Sequence, residues 1–149
     1  MILNKNVIYS IGKNSTEQNL QNELAIIFEY YRDKFKLEVM LYFDMKNMNT
    51  CFNCGGYINI NGKEIGKTYY GNKDKDRHEY HNIRELAIIF LLHEIGHAID
   101  YKYNKNRYIK EYYQQRRDIS ISKIKDKYWN FPLEKRADYF ANNEKKKWV

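Results

Sequence analysis

Proline occurs once in this chain and cysteine twice, so neither a proline-rich linker nor a disulfide scaffold can be built from it. No apolar run reaches the roughly 20 residues needed to span a bilayer, the longest being Leu86 to Leu92. The first residues, Met1-Ile2-Leu3-Asn4-Lys5-Asn6, lack the basic start and apolar core of a secretory signal. A cytoplasmic protein with no membrane partner is therefore expected. Repeats and low-complexity segments are also missing, and 149 residues suit a single domain spanning 1–149.

Tyrosine, by contrast, occurs fifteen times, and the formal charge is +7. Lysine, asparagine and isoleucine are abundant and alanine is scarce, the pattern of A/T-rich codons, which accounts for much of the positive charge. The basic residues are scattered rather than striped, so nucleic acid is not the expected partner. The two cysteines, Cys51 and Cys54, form a C-x-x-C. Three readings stand for them: reduced thiols in a turn, a redox pair, or half of a second zinc site completed by His78 and His81.

Along the chain, Val7 to Ile11 reads as a short strand. Ser15 and Gln18 have capping-box spacing, and Leu20, Leu24, Ile27, Phe28, Tyr31 and Phe35 recur on one face of a helix over about 16–36. Val39, Leu41 and Phe43 alternate with Met40 and Tyr42, as in a strand. A turn-rich stretch with the cysteines follows. Tyr57 to Ile60 is a second strand, and Asn61-Gly62 is a hairpin signal that makes Ile65 to Tyr70 the returning strand. Residues 71–81 read as a polar loop. Asn82 and Glu85 open a helix over about 83–103 that is apolar nearly all round, as in a helix through the middle of a domain. Helical patterning is weak around Tyr108 to Lys127, and Asn130-Phe131-Pro132 starts a last helix. The layout is α+β, with an N-terminal helix, a small mostly antiparallel sheet, a central helix and a closing helix.

His93-Glu94-Ile95-Gly96-His97 lies on that central helix. Residues four apart share a helix face, so the two imidazoles can hold one metal ion, and Glu94 beside them can take a proton from water. A catalytic zinc needs three protein ligands and an open position. Neither histidine nor cysteine follows His97, so the third ligand must be an acid: Asp100, Glu111, Asp118, Asp126, Glu134, Asp138 or Glu144. Glu134 is the best choice by spacing, because Glu134, Asp138 and Ala141 share a face on which the small Ala137 permits close approach. Asp138, one turn on, could hydrogen-bond a ligating histidine and fix its orientation. Asp100, one turn beyond His97, is a further candidate for that partner.

H-E-x-x-H followed by E-x-x-x-D on a second helix resembles the gluzincin class of zinc peptidases. Glu134-x-x-Ala137-Asp138-x-Phe140-Ala141 after His93 to His97 resembles the ImmA/IrrE-type metallopeptidases and minimal gluzincins more closely. The resemblance covers residues 16–143 but rests on these two motifs. It implies a compact zincin-like domain, zinc ligands His93, His97 and Glu134, general base Glu94, and a regulatory substrate such as a helix-turn-helix repressor. Two departures are visible: Asp138 stands where Asn is common, and the interval from His97 to Glu134 is long, which suggests an inserted helix near the cleft.

The expected function is thus zinc-dependent hydrolysis of a peptide bond in a protein, with a tyrosine available to stabilise the oxyanion. The alternatives are a catalytically silent zinc-fold regulator that binds a protein or nucleic-acid partner, and a basic nucleic-acid module. Substrate should pair with a sheet edge, for which Tyr57 to Asn61 is the candidate, with Ile58 and Ile60 facing the core.

Overall fold

The computed structural model describes residues 7–8, 15–46, 48–54, 56–122 and 125–149. Among the described residues the fold is α+β, five helices and a small mixed sheet. Strand β1 (Val7–Ile8) is followed by helix α1 (Ser15–Phe35), β2 (Met40–Phe43), β3 (Cys51–Asn53) and β4 (Tyr57–Ile60). Then come α2 (Gly62–Tyr70), α3 (Ile83–Tyr103), α4 (Lys105–Ser122) and α5 (Pro132–Glu144), with short 3-10 turns at Lys125–Asn130 and Lys145–Lys147.

Helix α3 organises the molecule. Leu86, Ala87, Ile88, Ile89, Leu91, Leu92 and Ile95 are fully buried, so every face of its first half is covered. Each such Leu or Ile contributes about 1.5–3 kcal/mol by leaving water. The Asn82 side chain caps the helix by accepting the Glu85 N–H at 2.9 Å, and Glu85 reaches back to the His81 N–H at 2.9 Å. Helix α1 packs its Leu24, Ile27, Phe28 and Tyr31 into the same core, together with Val39, Leu41 and Phe43. Among the described residues no helix is long and apolar enough to cross a membrane. Of the first strand, residues 9–11 lie outside the described residues, as does the Ser15 side chain of the expected capping box.

Three expectations need correction. The sheet, in the order β1-β2-β4-β3, is mostly parallel: β1 with β2 and β2 with β4 are parallel, and only β3 with β4 is antiparallel. The reason is topological. Helix α1 is a crossover that returns the chain parallel to β1, and β3 is laid outside before β4 inserts beside β2. Cys51 accordingly sits in a strand, not a turn. Gly56, with φ +108°, closes the tight β3–β4 turn in a conformation that favours glycine.

Second, Ile65 to Tyr70 is helical. Asn61 acts as an N-cap rather than a hairpin residue, its side chain accepting the Glu64 N–H at 3.0 Å. Ile65 and Thr68 then bury one face of α2. Third, β4 is internal, so Tyr57 to Asn61 cannot be a docking edge. The Asn59 side chain is fully buried, accepting from the Met45 N–H at 3.1 Å and donating to the Met48 and Asn49 carbonyls at 3.1 Å. Among the described residues, the sheet edge beside the site belongs to β3.

Candidate metal centre

Helices α3 and α5 carry the site and pack tightly. A Cβ on Gly96 would meet the Ala137 Cα and the Phe140 side chain at 3.3 Å, which shows how close the two backbones come. Buried Ala137 and Ala141 provide the matching small surface on α5. This approach brings Glu134 to the two histidines. Its Oε1 lies 3.1 Å from His93 Nε2 and 3.0 Å from His97 Nε2. Among the described residues, His93, His97 and Glu134 form the one group whose ligand atoms fall within 4.8 Å of one another, and all three are buried.

The remaining polar atoms are held from outside the group. Asp138 Oδ1 accepts from His93 Nδ1 at 2.8 Å, which leaves Nε2 to face the centre. Arg77 clamps Asp138 with two hydrogen bonds, Nε to Oδ2 at 2.9 Å and Nη2 to Oδ1 at 2.7 Å. His78 Nε2 adds a contact to Asp138 at 3.2 Å, and its Nδ1 lies 2.8 Å from Asn142 Oδ1. Gln115 on α4 donates to Glu134 Oε2 at 3.0 Å, and Tyr128 lines the cleft with Glu134. Trp129 stands edge-on to His93 at 5.8 Å and receives the Arg77 guanidinium on its ring at 3.2 Å. His97 Nδ1, also buried, has no hydrogen-bond partner among the described residues.

Electrostatics follow from this packing. Burial opposes a charged His93 ring, but hydrogen bonds to Asp138 and Glu134 outweigh it and raise the ring to about 10. Burial likewise opposes ionised Glu134 and Asp138, yet their histidine contacts, with Arg77 for Asp138, hold both well below the usual carboxylate range. The centre thus favours positive charge. Glu94 behaves differently: burial pushes its carboxyl up, against the lowering influence of the two histidines and of the Phe52 backbone N–H. Burial also raises the Tyr108 and Tyr128 hydroxyls far above their ordinary value, so both remain neutral donors.

All of this opens onto a cleft of about 770 Å³, walled by β3, α2, α4 and the Tyr128–Trp129 turn. The long His97-to-Glu134 interval supplies that wall as α4, in keeping with an inserted helix near the cleft. Two nitrogens and one carboxylate oxygen converging beside an open cleft fit the donor set and coordination habit of a catalytic zinc.

The other acids are occupied elsewhere. Asp100 pairs with Arg136 at 2.7 Å and Arg107 at 3.1 Å rather than with His97. Glu111 also pairs with Arg136, Asp118 accepts from Gln114, and Glu144 pairs with Lys147; the Asp126 side chain lies outside the described residues. No Cys2His2 group forms among the described residues: His78 is committed to Asp138 and Asn142, while His81 is exposed beside Glu79. Sequence reasoning missed Arg77, Gln115 and Trp129. None follows a spacing rule, because each reaches the site from a different element. The chain matches no family model, no curated protein and no solved structure.

Proposed function

We propose that this chain is a zinc-dependent endopeptidase with a zincin-like, gluzincin-type site. The observation that carries the reading is the convergence of His93 Nε2 and His97 Nε2 on one Glu134 oxygen, with the buried Glu94 beside them and the cleft in front. A zinc ion held by His93, His97 and Glu134 would supply Lewis-acid polarisation of the scissile carbonyl.

The chain's own residues do the rest. Glu94 removes a proton from the attacking water and returns it to the leaving amine; its raised carboxyl suits both transfers. Asp138, clamped by Arg77, keeps the His93 ring in one tautomer and orientation. Gln115 keeps Glu134 from turning away. The neutral hydroxyls of Tyr108 and Tyr128 are the donors available to a developing oxyanion. Substrate lies extended along β3, the edge that adjoins Glu94. A regulatory protein such as a helix-turn-helix repressor is the substrate class implied by the resemblance to ImmA/IrrE-type enzymes.

The test is a zinc titration followed by a peptide-cleavage screen. Stoichiometric zinc with cleavage that Glu94→Gln abolishes supports the reading. Zinc binding without any cleavage favours a silent zinc-fold regulator instead.

A further inference from the structure

A second hollow, about 350 Å³, adjoins the cleft beside β3. Phe52, Tyr101, Tyr108, Ile109, Tyr112 and Tyr113 line it. Three of these, Phe52, Tyr108 and Tyr112, also wall the cleft, so the two spaces share a wall. The rings form one aromatic surface. Phe52 meets Tyr101 at 5.8 Å and Tyr108 at 6.2 Å, and Tyr108 stacks on Tyr112 at 6.4 Å with planes 10° apart. Tyr113 at the rim is 64% exposed, which nothing in the packing of the fold requires.

We propose that this hollow is a subsite that takes one large apolar side chain of the peptide substrate. The inference rests on the peptidase reading and extends it to specificity. The argument is one of register. Phe52 pairs with Ile58 across the β3–β4 ladder, and among the described residues no strand pairs with β3 on its other side. A substrate strand added there places one residue directly opposite Phe52. Paired residues on neighbouring strands project to the same face of a sheet. The Phe52 side chain projects onto Tyr101 and Tyr108, so its substrate partner does too, and the residues before and after it project away. An aromatic or leucine-sized side chain packs against these rings; a charged one meets no countercharge among the lining residues.

The zinc-loaded full chain is incubated with a mixed peptide library, and cut sites are read by mass spectrometry. One position near the scissile bond should be enriched in Phe, Tyr, Leu and Met. Ile109→Trp, which fills the hollow, should reduce the preference for Phe over Ala at that position by about tenfold, the scale on which apolar pockets discriminate. Tyr113→Ala, at an exposed site that leaves the fold intact, should reduce it less. Binding gives a second readout: in Glu94→Gln protein, calorimetry should show the Phe peptide binding about tenfold tighter than its Ala counterpart, with the difference lost when Ile109→Trp is added. A flat profile at every position, or an unchanged Phe-to-Ala ratio in both variants, overturns the subsite alone. No cleavage of any peptide by the unmodified protein overturns the peptidase reading, and the subsite with it.

Discussion

Glu94 and Glu134 are both glutamates beside the same two histidines, but their surroundings give them opposite chemistry. Glu134 is held ionised by the rings it touches, and Glu94 is pushed toward the neutral acid by burial. Their substitutions should separate cleanly. Glu94→Gln should retain zinc, measured by atomic absorption after dialysis, while cleavage falls by at least about 10²-fold. Glu134→Ala should lose zinc against a weak chelator, whereas Glu111→Ala and Glu144→Ala should keep it; equal metal content in all three would move the third ligand elsewhere. Asp138→Ala should weaken zinc affinity by about 10–100-fold, because His93 loses the partner that orients it. The meeting of His93, His97, Glu134 and Asp138 is legible because residues four apart on a helix share a face. Arg77 and Gln115 were not, since their contacts depend on where a loop and a separate helix come to lie.

For single elements, the same residue type was read correctly once and wrongly once. Asn82 and Asn61 each stand three residues before a glutamate, and each side chain accepts that glutamate's N–H. Asn82 preceded a long apolar run and was read as a cap. Asn61 preceded a glycine, and the hairpin signal obscured the capping one. Loss of the Asn61 side chain in Asn61→Ala should cost about 1 kcal/mol in chemical denaturation, the usual worth of an N-cap; the Met48 carbonyl, which also accepts from Asn61, keeps its bond from Asn59. At the α3–α5 contact, Gly96→Val should destabilise by about 1–3 kcal/mol through overpacking. It should also lower zinc affinity, because any retreat of α5 carries Glu134 away. A variant with unchanged stability and unchanged metal affinity would show that the helices have room to spare.

At the scale of the whole molecule, local patterning located the elements but not their neighbours. Alternation identified β2 and β4, yet nothing in either strand says that β3 lies outside both. Internal β4 reverses the consequence of one substitution: Asn59→Pro should leave little folded protein by circular dichroism, since it breaks a central ladder and removes the amide that holds the Met48 and Asn49 carbonyls. The two ends of the core are tied in the same long-range manner. Trp148 packs at 5.3 Å from Tyr30 and donates to the Tyr31 hydroxyl at 3.0 Å, and Arg84 joins its carbonyl to Glu23. Trp148→Ala should lower stability by about 2 kcal/mol, less than a fully buried tryptophan would.

On the proposed peptidase reading, the Phe52 backbone N–H, which lowers the Glu94 carboxyl against burial, would set a condition on catalysis. A peptide pairing along β3 would compete for that N–H. Arrival of substrate and release of the base then become a single exchange of partners. Losing that donor inside a buried site makes the carboxylate more eager for a proton at the moment a scissile bond is in place.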